Sequence, residues 1–216
     1  MEKLLFDAKR YLEENPLGFN KEQKQKLLLD VVSPRNGVVC DEYVEFKLWK
    51  RGLKSRQEYF ADYVEQRLPA ERYPRMLEVG CGRTARLSAM LVKRGYQMTA
   101  MDTVLAPEQL AAEEGIVCRR EAFCHDTTDI SEYDAVIAQE PCEATDHIIR
   151  ACVKAAKPFI ISLCGTPHAL IDGEEPETVQ EWYAYLSELI GEKGTVQKQE
   201  LIPGFLCFVA ETNREK

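Results

Sequence analysis

Three features of the sequence predict an α/β chain: a doubly wound, mostly parallel seven-stranded sheet behind an N-terminal helical extension. From Arg75 onward, short apolar runs alternate with amphipathic helical patterns, and such alternation implies right-handed βαβ units and a parallel sheet. Near the C-terminus two strand-like runs are separated only by Pro203-Gly204, a connection so short that the strands must be antiparallel neighbours. Before about residue 70 the apolar residues repeat at helical spacing.

The organisation follows in order. Residues 1–70 read as a helical extension and residues 71–216 as the main domain. In the extension, Asn20 and Gln23 resemble a capping box ahead of Leu27, Leu28, Val31 and Val32. Tyr43, Phe46, Trp49 and Leu53 mark a second helix, with Gly52 as an interruption, and Phe60, Tyr63, Val64 and Leu68 a third. Pro69 and Pro74 then bracket a break. The expected strands are Met76–Val79, Gln97–Met101, Ile116–Arg119, Asp134–Ala138, Pro158–Leu163, Thr195–Ile202 and Phe205–Glu211. Helical patterns lie at about 84–94, 106–114 and 143–156, and Val179, Trp182, Tyr183, Leu186, Leu189 and Ile190 form a last helical stripe.

Composition narrows the function classes. The 216 residues carry a formal charge of −8, so the overall field does not steer the chain to nucleic acid. No apolar stretch approaches the length of a membrane span, and the N-terminus lacks a signal-peptide core; a cytoplasmic location is the expectation. The eight cysteines show no C-x-x-C spacing, and the three histidines show no metal-ligand spacing. They read as reduced, mostly buried thiols with no metal site. The run Lys47, Lys50, Arg51, Lys54 and Arg56 around Trp49 reads either as a solvated helix face or as a surface for an anionic substrate.

The chemistry-bearing signal is Glu78-Val79-Gly80-Cys81-Gly82-Arg83-Thr84-Ala85, which closes the first strand and opens a helix. Glycines there permit a tight turn and close backbone approach to a ligand, and the helix start adds unsatisfied N–H groups. Asp102 follows the second strand, where a carboxylate can accept both hydroxyls of a ribose; its other reading is a helix-capping acid. Cys124-His125-Asp126 follows the third strand, and a polar group at that edge can meet the exocyclic amine of an adenine. Asp126 and Asp129 equally suit turn duty. After the fourth strand comes Gln139-Glu140-Pro141-Cys142-Glu143. Glu140 there is a candidate general base or an acid placed at a helix start by the dipole. Cys142 as a nucleophile has no identifiable base beside it, and His125 reads as a loop histidine or a base.

Glu78-x-Gly80-x-Gly82, with Asp102 and Asp126, resembles the motifs of class I S-adenosylmethionine-dependent methyltransferases from about Arg75 to Glu211. The resemblance implies a Rossmann-like sheet ending in a reversed strand. It also implies S-adenosylmethionine as cofactor, held by Glu78, Gly80, Cys81, Gly82, Asp102, Thr103, Asp126 and Gln139, and Glu140 as the candidate catalytic residue. In that family the loop after the fourth strand faces the methyl group. Thr84 stands where the family commonly has a third glycine, and the Asn/Asp-Pro-Pro-aromatic signature is absent from 139–143. Val79–Arg83, Met98–Asp102 and Asp126–Asp129 also resemble an uncharacterised archaeal family of short methyltransferase-like proteins. The expected activity is methyl transfer to an acceptor, chiefly a small molecule, with self-association through the N-terminal helices left open. A binding module without catalysis and an NAD(P)-dependent oxidoreductase are the alternatives, the latter because Gly80–Ala85 also fits G-x-G-x-x-A.

Overall fold

The computed structural model describes residues 2–15, 21–32, 41–106, 115–173 and 176–213. The chain forms two compact units, Met1–Glu58 and Tyr59–Lys216. In the first, α1 (Glu2–Glu14), α2 (Lys21–Val32) and α3 (Asp41–Lys50) bury Ala8, Tyr11, Leu27, Val31 and Phe46 among themselves. Trp49 packs tilted against Tyr11, with ring centroids 5.3 Å apart, and donates to Glu14 at 3.1 Å. The basic run is partly engaged inside this unit: Lys50 pairs with Asp7 at 3.1 Å, and Lys47 lies over the Tyr43 ring. The expected Asn20 cap lies outside the described residues.

The division falls inside α4 (Arg56–Arg67), earlier than the boundary expected at 70. Ser55 and Glu58 cap α4 reciprocally, Ser55 Oγ accepting from Glu58 N–H and Glu58 Oε2 accepting from Ser55 N–H. Beyond the cap, burial decides membership. Phe60, Ala61, Val64 and Leu68 share a core with Met76, Met98, Ala135 and Ile137 of the sheet, so most of α4 belongs to the second unit.

The sheet contains β1 (Arg75–Val79), β2 (Gln97–Met101), β3 (Ile116–Arg119), β4 (Ala135–Gln139), β5 (Phe159–Ser162), β6 (Gly194–Ile202) and β7 (Phe205–Thr212). Its order is β3-β2-β1-β4-β5-β7-β6. β7 runs antiparallel to both neighbours and the other pairs are parallel. Strand periodicity sorts the side chains. Met76, Ala135 and Ile137 face α4 and α5 (Arg86–Val92). Leu77, Val79, Val136 and Ala138 face α6 (Ala144–Ala155) and α7 (Val179–Ile190), whose Ile148, Ile149, Trp182 and Leu186 complete that core. The helix expected at 106–114 lies, apart from Ala106, outside the described residues.

One polar network crosses this second layer. Asp146 of α6 is almost fully buried. It accepts from Arg150 Nε at 2.6 Å, from the Tyr185 hydroxyl of α7 at 2.7 Å, and from Ile171 N–H of the loop after β5 at 3.1 Å. Arg150 also pairs with Asp172 at 2.8 Å. A buried carboxylate persists only when its lone pairs are satisfied, so this network pins the loop after β5 to both helices. Replacing Asp146 by alanine leaves Arg150 without its buried partner and should lower unfolding free energy by about 3 kcal/mol. Denaturant midpoints measure this, and a loss under about 1 kcal/mol would show the network to be dispensable.

Candidate functional site

The glycine turn is built at the end of β1. Gly80 and Gly82 hold φ of +73° and +67°, the left-handed region that costs other residues about 1–2 kcal/mol. Gly80 carries a second constraint, because a Cβ there would lie 3.0 Å from Pro141 Cα and Cβ. A Cβ on Gly82 would meet nothing within 4 Å. Asp102, just past β2, accepts from Gly82 N–H at 2.8 Å and from Val104 N–H at 3.0 Å. Its carboxylate therefore fixes the turn of the neighbouring strand while leaving lone pairs for further donors.

A cavity of about 420 Å³ lies at these strand ends. Gly80, Asp102, Thr103 and Glu140 line it, together with Val79 and Met101. The loop after β3 contributes Glu121, Ala122 and Phe123, and the loop after β4 contributes Pro141, Cys142 and Glu143. His147 reaches it from α6. Four of the nine expected site residues thus converge. Five do not line it: Glu78, Cys81, Gly82, Asp126 and Gln139.

Each departure has a physical cause. Glu78 is 3% exposed and turns away from the cavity to accept from Ser88 N–H and Ser88 Oγ at the start of α5. Burial pushes its carboxyl up to about 7, Asp102 adds to the rise, and the Ser88 bonds oppose it. Its role is to tie the helix start to the strand end. The Cys81 side chain packs with Ala85, Ala100 and Leu105. Burial, then the charges of Glu78 and Asp102, hold its thiol well above the usual range, which disfavours the reactive thiolate. Asp126 is exposed, with its carboxylate 3.3 Å from His125 Nε2, and the preceding residues 121–123 take the cavity edge. Gln139 ends β4, paired with Ser162, and Gly82 serves through its N–H to Asp102. Arg83 also lies off the cavity.

The loop after β4 is strained. Glu140 and Cys142 adopt φ of +55° and +52°, a conformation rare for residues with a side chain. Two such residues flanking one proline at a cavity wall mark a segment over-determined by its surroundings. Pro141 O accepts from Ala144 N–H, and Cys142 O accepts from Thr145 N–H and from Thr145 Oγ1 at 2.8 Å. His147, read from the sequence only as a histidine without metal-ligand spacing, is a further polar group on this side, with Glu140 and Glu143. Its Nδ1 lies 2.9 Å from His125 Nδ1, and burial, then His125, hold its pKa below the usual imidazole value. The signal for it was helical periodicity: His147 lies one turn from the loop on the face of α6 that looks back at the strand ends.

Two substitutions test the turn. Gly82→Ala should cost about 1 kcal/mol from backbone strain alone. Gly80→Ala should cost roughly 1–3 kcal/mol more through overpacking on Pro141. Equal losses in unfolding experiments would remove Pro141 from the argument. Glu78 gives a pH test. Its folded pKa is raised, so the native state holds the proton more tightly than the unfolded chain. Stability should therefore fall as pH rises from about 4.5 through about 7. Glu78→Gln should flatten this part of the profile, and an unchanged slope would contradict the assignment.

No family model matches the chain, and no curated protein matches it in sequence. Solved structures do match. The methyltransferase domain of bacterial CtHen1-CN superposes with a TM-score of 0.50 at 16% identity, over 73% of this chain and 100% of that one. The 1,6-didemethyltoxoflavin-N1-methyltransferase of Burkholderia thailandensis gives 0.48 at 18% identity, over 92% of each chain. CalS10, an amino pentose methyltransferase from Micromonospora echinaspora, gives 0.49 at 14%, over 83% of this chain and 100% of that one. With the strand order and the reversed β7, the CtHen1-CN superposition gives the second unit the class I methyltransferase fold.

Proposed function

We propose that this chain is an S-adenosylmethionine-dependent methyltransferase acting on a small-molecule acceptor in the cytoplasm. The observation that carries the reading is the cavity at the carboxyl ends of β1, β2 and β4, where the Gly80 turn, the Asp102 carboxylate and the strained 140–142 loop meet. In open α/β sheets ligands bind at the point where strand order reverses, here between β1 and β4. The volume falls in the range of small-ligand sites, about 300–1,000 Å³. Among the described residues no helix is long and apolar enough to cross a membrane.

The residues suit the cofactor. A carboxylate offers about four acceptor positions. Asp102 uses one for Gly82 N–H and one for Val104 N–H, which leaves two for the paired hydroxyls of a ribose. When bound, the cofactor supplies a methyl group already activated on a sulfonium. The protein then needs to align the acceptor, exclude water and receive a proton. Glu140 and His147 line the cavity on the β4 side; burial, then His125, hold His147 toward the neutral form, and Glu140 is the carboxylate placed to receive a proton. A nicotinamide cofactor is the poorer fit, because the usual dinucleotide-binding sheet has a parallel sixth strand where this chain inserts the reversed β7.

Calorimetry with S-adenosylhomocysteine should show saturable binding, with none for NADH. Asp102→Ala should weaken it roughly 10- to 100-fold through loss of charge-assisted hydrogen bonds. Binding of NADH alone would overturn the reading. Cofactor binding with no labelled product over a broad panel of hydroxyl, amine and thiol metabolites would instead support a binding module.

A further inference from the structure

We propose that Cys142, Cys164 and His168 form a zinc site beside the cavity. β4 and β5 are adjacent and in register, with Gln139 opposite Ser162, so the loops leaving them carry Cys142 and Cys164 to one place. The ligand atoms of Cys142, Cys164 and His168 all lie within 4.8 Å of one another. The two sulfurs are 3.7 Å apart. Two thiolates on a tetrahedral zinc, each at about 2.3 Å, stand roughly 3.8 Å apart, whereas a disulfide requires about 2.05 Å. Cys164 Sγ donates to Cys142 Sγ across this gap and Cys142 Sγ donates to Glu140 O at 3.4 Å; the same spacing accommodates two thiolates on one metal once both protons are lost.

His168 supplies an independent observation. Its Nε2 is buried with no hydrogen-bond partner, a state that costs free energy unless a ligand completes it. Glu143 Oε1 lies 3.9 Å from the other ring nitrogen, outside hydrogen-bond range, and a small shift of this exposed side chain would let it orient a metal-bound imidazole. The ring packs edge-on against Trp182 at 5.4 Å. The Tyr183 hydroxyl donates to Cys164 O at 2.8 Å, and Cys142 is held in its left-handed turn. All three donors are thus positioned before any metal arrives.

Two thiolates and an imidazole select zinc over magnesium or calcium. Binding replaces two S–H bonds by two Zn–S bonds and releases two protons to solvent. Three protein ligands leave a fourth position open, the pattern of catalytic rather than structural zinc. Of the three ligands Cys142 also lines the cavity, so the proposed site adjoins the space a thiolate, hydroxide or other anionic ligand would enter. The cluster of Cys124, His125 and His147 is the weaker candidate. There His147 Nδ1 already accepts from His125 N–H at 3.3 Å and faces His125 Nδ1 at 2.9 Å.

The inference does not depend on methyl transfer, since its readout is metal binding. The full-length reduced protein is titrated with Zn²⁺ against a chromophoric chelator, and separately with Co²⁺ under anaerobic conditions. We expect one metal per chain, with sulfur-to-cobalt charge-transfer and tetrahedral d–d bands. Cys142→Ser, Cys164→Ser and His168→Gln should each weaken binding by at least roughly 100-fold, and Glu143→Gln by about 10-fold, the lower end for an orienting partner. Cys118→Ser should leave it unchanged, and circular dichroism checks that each variant is folded. Failure of the reduced wild-type protein to take up zinc overturns the proposal whatever the variants do. So does a cobalt spectrum without sulfur ligation, or binding abolished by His147→Gln but retained in the two serine variants.

Discussion

The second unit depends on one long-range pairing, β1 against β4. These strands are separated in sequence by β2, β3 and their connections, yet Met76, Leu77 and Glu78 pair with Ala135, Val136 and Ile137. The lower end of the pair is clamped by charge. Asp134 Oδ2 accepts from Arg75 N–H at 2.9 Å, Asp134 Oδ1 accepts from its guanidinium at 2.8 Å, and Arg75 O accepts from Asp134 N–H at 2.7 Å. The upper end is fixed by sterics, with the bare Cα of Gly80 against Pro141. Because the chain runs outward from β1 on one side and from β4 on the other, the loops above this seam diverge and leave a crevice. The cavity, Asp102 and the 140–142 loop are all consequences of that placement.

The polar groups around the seam divide between holding and exposing. Glu78 and Asp102 both carry carboxyls near the glycine turn, but burial separates their roles. Glu78 lies inside, bonded to Ser88, with its proton affinity raised to the neutral range. Asp102 stands at the cavity wall, its carboxylate bonded among the described residues to the backbone N–H groups of Gly82 and Val104. One carboxyl locks the helix to the strand, and the other locks the turn and faces the ligand space. Had both been buried and charged at this spacing, their repulsion would have opposed the fold; a Glu78 that keeps its proton into the neutral range relieves it.

Much of this was legible in the sequence, for reasons that differ by element. The strands were read within a residue or two because buried parallel strands are continuous apolar runs bounded by turn residues. The final hairpin followed from Pro203-Gly204, since two residues cannot make a crossover. Gly80 and Asp102 each end a strand of predictable register, and both line the cavity as expected of strand-end residues. Glu78 was expected beside the ligand because an acid next to glycines suits one; its alternation in β1, opposite to that of Val79, turns it toward Ser88 of α5. Asp126 was expected at the cavity, but it lies in the turn at 125–127, with its side chain exposed, while 121–123 line the cavity. Cys142, Cys164 and His168 were scattered in sequence without ligand spacing. Their meeting depends on β4 and β5 being neighbours, which is a property of strand order rather than of any local pattern.

The strain in the 140–142 loop has to be supported from outside it. Two left-handed residues cost on the order of 2–4 kcal/mol together, and a relaxed loop would move Pro141 off Gly80 and open the crevice. Thr145 holds the Cys142 carbonyl from one side. Farther along the same helix, Asp146 ties α6 to α7 and to the loop after β5, so the helix start that supports the strained turn cannot drift. A buried ion pair is seldom worth much as stability in itself. Its value here is positional: it holds fixed the helix from which the strained loop is suspended, and with it the spacing of every side chain that the loop presents to the cavity.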